Sequence, residues 1–166
     1  MKRFFCLTIA VLFCFCGFSC QIAPPFTVSE KTFEKNGMKI TVTDEFREMA
    51  EEGFFFAAAK EDLSFFLLSS PFSLYENTDF SAETSLSQWA LLFLEKEPGD
   101  QEAIQTKDSL CFADKTQEKN GSRFSHRLFF FKGSDAFWIL DFSAAEENFA
   151  RLETEIFSYA STLQIP

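Results

Sequence analysis

The alternation of apolar and polar positions predicts a β-hairpin near residue 36. Between residues 38 and 43, every second side chain is apolar, which is the period of a half-buried strand: Met38, Ile40 and Val42. The preceding Asn36-Gly37 pair is typical of a type I′ turn, because both residues accept positive φ angles. The sequence therefore predicts two antiparallel strands, 27–34 and 38–43, on either side of this turn.

Short apolar runs follow the hairpin. Residues 44–53 have the pattern of a short helical turn that ends at Gly53. Residues 54–59 and 63–70 are apolar without alternation and too short for independent helices, which predicts two strands covered on both faces. Residues 60–62 form the turn between them.

The second half of the chain predicts two helices separated by strands. Apolar residues recur every three or four positions before Pro98-Gly99, so a helix is expected there, with Ser81 or Thr84 as its N-cap. Strands are predicted from 105 to 115, from 123 to 131 and from 136 to 142. Ser143 and Glu146 have capping-box spacing, and the following periodic residues predict a long amphipathic helix: Phe149, Leu152, Ile156, Phe157, Ala160 and Leu163.

The order of these elements predicts the fold class. Two hairpins, a helix, three strands and a helix indicate an α+β fold, in which helices pack against a mostly antiparallel sheet. Its 166 residues suit a single domain once a targeting segment is removed.

The first residues predict export. Lys2 and Arg3 precede an apolar run at 4–15, a pattern typical of a signal peptide. The run is shorter than the roughly 20 residues that a membrane-spanning helix needs. We expect a signal peptide at 1–19, a proline-containing tether at 20–26 and one globular domain at 27–166.

Cleavage is expected between Ser19 and Cys20, either by an ordinary signal peptidase or by a lipoprotein peptidase. Ser19 and Cys20 fit the end of a bacterial lipobox, whereas Gly17 and Phe18 depart from it. We expect Cys20 to be lipidated, so that the protein is anchored to the cell membrane or the outer envelope. The alternative is a soluble secreted or periplasmic protein.

Cysteine usage and charge exclude several classes of protein. Cleavage removes three of the five cysteines, so only Cys20 and Cys111 remain. They can pair if Cys20 is not acylated, but they cannot form a disulfide scaffold or a cysteine metal site. The net charge is −10, and about −12 without Lys2 and Arg3, so nucleic acid is excluded as a partner and anionic lipid gives no attraction. Membrane attachment must then come from the lipid on Cys20.

Candidate catalytic residues are few. The single histidine, His126, lacks neighbours at metal-ligand spacing and is expected to be a sheet residue, hydrogen-bonded to a neighbour, on one strand face with Phe124 and Leu128. Asp141 is an acid within an apolar strand, expected to face water or to cap the last helix. No catalytic, metal-binding or cofactor residue is predicted. The alternative is an exported hydrolase that uses Asp141 with Glu45 or Glu61.

Two stretches resemble a known family. "GMKITVTDEF" is similar to the opening strand and turn of the PsbP-like fold, named after the extrinsic P protein of photosystem II. "DAFWILDFSAAEENFARLETEIFSYASTLQI" is similar to its closing strand and helix. The opening strand ends in Asp44-Glu45-Phe46, where the family often has tryptophan. The resemblance covers residues 27–165 and implies an α/β/α sandwich and a non-catalytic role in binding a partner, but it transfers no functional residue.

The expected function is therefore that of an exported, lipid-anchored bacterial envelope protein that binds a small ligand or another envelope protein. A purely structural envelope subunit differs from this only in the size of the partner. The 20 phenylalanines after Ser19 are expected to fill the core. An apolar patch that they leave exposed would be the first candidate for the binding site.

Overall fold

The computed structural model of the chain describes residues 29–75, 78 and 81–166. The predicted signal peptide and tether, 1–19 and 20–26, lie outside the described residues, as do Ser19 and Cys20.

The described chain begins with the expected hairpin. Strand β1 spans Glu30–Lys35 and β2 spans Met38–Thr43, and the two pair antiparallel. Asn36 and Gly37 between them have φ values of 48° and 87°, as the turn requires. The prediction of this hairpin is confirmed.

A second, larger sheet forms the centre of the protein. It contains the remaining strands: β3 Arg47–Glu48, β4 Phe56–Ala59, β5 Ser64–Pro71, β6 Asp100–Gln101, β7 Gln105–Lys107, β8 Leu110–Lys119, β9 Ser122–Lys132 and β10 Ala136–Ala145. Their order is β3-β4-β5-β10-β9-β8-β6, with β7 also paired to β8, and every pairing is antiparallel. A 3₁₀ turn at Phe72–Tyr75 follows β5.

Two helices cover opposite faces of this sheet. Helix α1 is Leu86–Lys96 and helix α2 is Glu146–Ser161. In β10, Trp138, Leu140 and Phe142 belong to the core under α2 and the β1–β2 hairpin, whereas Phe137 and Ile139 pack with α1. Alternate residues of a strand point to opposite faces, so β10 is buried on both sides and reads as an apolar run. The α+β class and the α/β/α arrangement are confirmed.

Residues 44–53 are not helical, contrary to the prediction. Arg47 and Glu48 form the edge strand β3, and the Met49 N–H donates to the Ala57 carbonyl at 2.9 Å. Phe46 is fully buried in the core. Pairing with β4 and burial of Phe46 outweigh the local preference, because a single helical turn has little stability of its own.

The predicted helix caps are also wrong. Helix α1 is capped by Ser85, in a capping box with Gln88, and not by Ser81 or Thr84. Ser143 does not cap α2, because it is a residue of β10 and lies opposite Ser64 of β5 and His126 of β9. The N-cap of α2 is Ala145, which makes no side-chain cap bond. The last strand continues two residues past Ser143, and its register sets the start of the helix.

Candidate functional site

Helix α1 covers only part of its face of the central sheet. Leu68, Ile139 and Leu128, on three neighbouring strands, pack beneath α1. Two and four positions from these residues, on the same face of the strands, the side chains include polar groups and are half-buried, apart from the buried Ser143. We call this uncovered area the open face, and it comprises Phe66, Phe124, His126, Asp141 and Ser143.

A cleft of about 1110 Å³ lies where the open face meets the β4–β5 turn and the start of α2. Phe66, Phe124 and Ser143 of the open face contribute to its lining. Its charged lining consists of three cationic and three anionic side chains: Arg47, Lys60, Arg151, Glu45, Glu61 and Asp62. The cleft is therefore a polar, charge-balanced depression with aromatic side chains on one wall.

Lys60 is the centre of an ion-pair network in this cleft. Its Nζ atom lies 2.6 Å from Glu155 Oε1, 3.7 Å from Asp62 Oδ1 and 4.0 Å from Glu45 Oε2, and its side chain is only 10% exposed. Arg151 Nη2 donates to Asp62 Oδ2 at 2.6 Å. The network holds the β4–β5 turn against α2, so the cleft walls keep their positions without a ligand.

Tyr159 extends this network beneath α2. Its hydroxyl donates to the Glu155 carboxylate and lies 3.3 Å from the Thr43 hydroxyl. Burial and the neighbouring Glu155 carboxylate raise the pKa of Tyr159 well above its ordinary value. Tyr159 therefore remains a neutral donor, and a smaller groove of about 470 Å³ with several hydroxyl groups lies beside it.

His126 and Asp141 form a pair on the open face. His126 Nδ1 lies 3.1 Å from both carboxylate oxygens of Asp141, and each side chain is 14% exposed. The expectation that His126 is a sheet residue bonded to a neighbour is confirmed. The expectation for Asp141 is wrong, because its carboxylate engages His126 across β9 and β10 and does not cap α2.

The structure brings two of the three candidate acids together. Glu45 and Glu61 both line the cleft, whereas Asp141 is outside its lining. Sequence reasoning missed Lys60 and Arg151 as cleft residues: it placed Lys60 only in a turn and did not single out Arg151. Their partners Glu155 and Asp62 lie 95 and 89 positions away along the chain, so no local pattern indicates them.

Other features limit the possible chemistry. Within residues 29–75, 78 and 81–166, no group of three or more His, Cys, Asp or Glu side chains has a metal-binding arrangement. Among the same residues, no helix has the length and apolar character needed to cross a membrane.

Cys111 is a half-buried free thiol whose pKa is raised by burial. The exposed large apolar side chains in the described chain are Leu74 and Leu91, whereas Phe66 and Phe124 of the open face are half-buried.

The comparisons with known proteins identify the fold. No protein family model and no curated protein matches the sequence. A Bacteroides thetaiotaomicron crystal structure is 13% identical with a TM-score of 0.55, covering 82% of this chain and 48% of that one, so this chain spans about half of its length. The solution structure of cyanobacterial PsbP (CyanoP) from Synechocystis is 10% identical with a TM-score of 0.52, covering 84% and 94%.

LpqN, a protein involved in cell envelope biogenesis of Mycobacterium tuberculosis, is 13% identical with a TM-score of 0.47, covering 82% of this chain and 90% of LpqN. At 10% identity, the similarity to CyanoP concerns the fold alone. The two stretches that resemble the PsbP-like family in sequence form β2 and, at the other end of the chain, β10 with α2.

Proposed function

We propose that this chain with a PsbP-like fold is an exported, lipid-anchored accessory protein of the bacterial cell envelope, which binds a ligand or partner in its cleft and catalyses no reaction. The observation that carries the proposal is the cleft beside the open face. Two of its three cations, Lys60 and Arg151, are paired with carboxylates. Groups held in this way suit a preformed binding surface, because they need not reorganise when a ligand arrives.

The N-terminal sequence supports the anchored location. The signal-peptide pattern and Cys20 at the expected first mature position suit lipidation, and the acidic body needs such an anchor to stay at an anionic membrane. One lipid chain gives marginal membrane binding, so stable anchoring requires more than one chain on Cys20.

Mass spectrometry of the mature protein tests the anchor. We expect a chain that begins at Cys20 and carries the mass of covalent lipid, and we expect it in the membrane fraction. Cys20→Ala is expected to remove the lipid and release the protein, whereas the matched variant Cys111→Ala stays in the membrane fraction. An unmodified Cys20, or a mature chain that still begins at Met1, would contradict the anchoring.

Crosslinking in intact envelopes tests the role of the cleft. Exchanging two exposed cleft charges, Arg47→Glu with Glu61→Lys, preserves the net charge but reverses the local pattern. Glu95→Lys with Lys96→Glu makes the same exchange on α1 as a control. We expect a crosslinked product that the control retains and the cleft variant loses. Equal crosslinking by both variants would place the binding surface elsewhere.

Two acids favour a second candidate function, an exported hydrolase. Glu45 and Glu61 line the same cleft, as paired carboxylates do in glycosidases. However, the Glu45 side chain is 65% exposed, whereas a general acid needs an apolar setting that keeps it protonated. Turnover of a glycoside or ester substrate that Glu45→Gln or Glu61→Gln abolishes would favour this candidate over the binding role.

A further inference from the structure

We propose that the cleft binds an uncharged saccharide, with sugar rings against Phe66 and Phe124 and hydroxyls on the planar polar side chains around them. This rests on the proposed binding role of the cleft and specifies its ligand. The feature that suggests it is a pair of aromatic side chains beside a charge-balanced set of three carboxylates, two guanidinium groups and one ammonium group, with an amide among them.

Charge balance argues against a strongly charged ligand. The cleft is lined by three cations and three carboxylates. Asp62 lies within ion-pair distance of both Lys60 and Arg151, at 3.7 and 2.6 Å. An anion that binds Lys60 and Arg151 has to displace Asp62 or is repelled by it. A cation that binds Asp62 is repelled by Lys60 and Arg151. An uncharged ligand neither competes with Asp62 for the two cations nor meets repulsion from them. Its polar groups also replace the hydrogen bonds to water that the charged side chains lose.

The aromatic wall supplies the apolar half of saccharide recognition. Phe66 and Phe124 are half-buried and lie on the same side of the sheet. The Phe66 ring packs against Phe54, with ring centroids 4.8 Å apart, so its position is fixed before a ligand binds. The C–H faces of a sugar ring are apolar and pack against aromatic rings, which offer large rigid contact areas at little entropic cost.

The polar wall supplies paired hydrogen-bonding groups. Carboxylate, amide and guanidinium groups each present two acceptors or donors in one plane, which matches adjacent hydroxyls on a sugar ring. Arg151 Nε donates to Asn148 Oδ1 at 3.3 Å and its Nη2 to Asp62, so these three groups are held together. Glu61 is exposed on the same lining and offers a further pair of acceptors.

The size of the cleft also suits an oligosaccharide. Its volume of about 1110 Å³ lies just above the usual range of ligand pockets, roughly 300–1,000 Å³. A single sugar ring fills a small part of this space. A chain of several sugar units, such as a segment of an envelope polysaccharide, reaches both the aromatic and the polar wall.

Calorimetric titration of the full-length protein with neutral tetrasaccharides tests the proposal. The probes are chitotetraose, cellotetraose and maltotetraose, and the detergent carries no sugar headgroup, since such a headgroup would compete. We expect at least one probe to bind with a Kd below about 1 mM. Phe66→Ala is expected to weaken this binding by about tenfold or more, whereas Leu91→Ala, which removes an exposed apolar side chain on α1, leaves it unchanged.

Asn148→Ala provides a second test, because this substitution removes no core contact. It is also expected to weaken saccharide binding. The saccharide proposal is overturned if none of the three probes binds, or if binding is indifferent to both Phe66→Ala and Asn148→Ala. It is also overturned if inorganic phosphate or a charged dipeptide such as Lys-Glu binds in the cleft while the sugars do not. That last result preserves the proposed binding role of the cleft, whereas equal crosslinking by the cleft variant and its control contradicts the binding role itself.

Discussion

At the scale of single residues, Arg127 is the most constrained charge in the described chain. Its Nε and Nη2 donate to the two oxygens of Asp114 at 2.7 and 2.6 Å, and its Nη1 lies 3.4 Å from Glu153 without making a hydrogen bond. The guanidinium lies within 5.6 Å of three ring centroids, those of Phe112, Phe149 and Phe157. Arg127 therefore joins β8, β9 and α2 on the face opposite the open face, and its role is structural.

Arg127→Ala is expected to lower the free energy of unfolding by about 3 kcal/mol, because it leaves a carboxylate partner unpaired in a part-buried setting. Arg123→Ala is the matched control. Arg123 lies 3.4 Å from Glu146 but is 56% exposed, so its loss should cost about 0.5 kcal/mol or less. Urea unfolding measures both values, and similar losses for the two variants would contradict a special role for Arg127.

Tyr159 predicts a loss of stability in strong alkali. Its pKa is higher in the folded protein than the value of about 10 in an unfolded chain, so the folded state keeps a proton that the unfolded state loses. The stabilisation is complete below pH 10 and decreases as the pH rises from there towards the folded pKa, by up to about 1.4 kcal/mol per pH unit.

Urea unfolding at several pH values between 8 and 11 measures this slope for the wild type and Tyr159→Phe. Other groups titrate in the same range, so the prediction concerns the difference between the two proteins. We expect the wild type to lose more stability than Tyr159→Phe above pH 10. Parallel curves would show that Tyr159 does not titrate differently in the two states.

At the scale of elements, the connection after α1 depends on a close backbone approach. Gly99 has a φ of 109°, and a Cβ atom on it would lie 2.4 Å from the carbonyl oxygen of Thr116 in β8. This approach places β6 beside β8 and closes one edge of the sheet. Only glycine fits here, both for its φ angle and for the space.

Gly99→Ala is therefore expected to destabilise the protein by about 2 kcal/mol or more, since backbone strain and overpacking act together. Gly121→Ala separates the two effects. Gly121 also has a positive φ, 78°, but its Cβ position is open, so we expect a cost of about 1 kcal/mol. Thermal and urea unfolding compare the variants, and equal costs would mean that the Thr116 approach is easily relaxed.

At the scale of the whole molecule, the last residues connect the hairpin to the central sheet. Gln164 and Lys39 of β2 exchange two backbone hydrogen bonds, of 2.8 and 2.9 Å. The Pro166 carbonyl accepts from the Ser134 N–H, in the turn between β9 and β10, at 3.3 Å. The segment 164–166 thus links the two sheets on the side of the molecule that α2 covers.

A chain that stops at Leu163 is expected to lose about 3 kcal/mol, from three hydrogen bonds at roughly 1 kcal/mol each. Removal of Pro166 alone deletes one of them and should cost about 1 kcal/mol. Hydrogen exchange gives a local measurement: the Lys39 N–H should exchange faster in the shorter chain but not after removal of Pro166 alone. Unchanged protection of Lys39 would contradict the linking role.

Local sequence patterns predicted those elements whose stabilising partners are close along the chain. The β1–β2 turn depends on two adjacent residues, Asn36 and Gly37, and helix α2 on apolar residues every three or four positions. The pattern failed where pairing with another strand intervenes. Arg47 and Glu48, within the predicted helical turn, pair with β4, and Ser143 belongs to β10 and not to the cap of α2.

The sequence by itself determined the α+β class, the order of the longer strands and the two helices, and the expectation of an exported, acidic domain. Periodicity, turn residues and net charge are properties of neighbouring residues or of the sum of all residues. Only the tertiary structure decided which residues form the cleft. The His126–Asp141 pair spans 15 positions, and the Lys60–Glu155 pair of the cleft spans 95. Strand register and helix docking set such distances, and a short helix α1 leaves the open face uncovered, which no local pattern encodes.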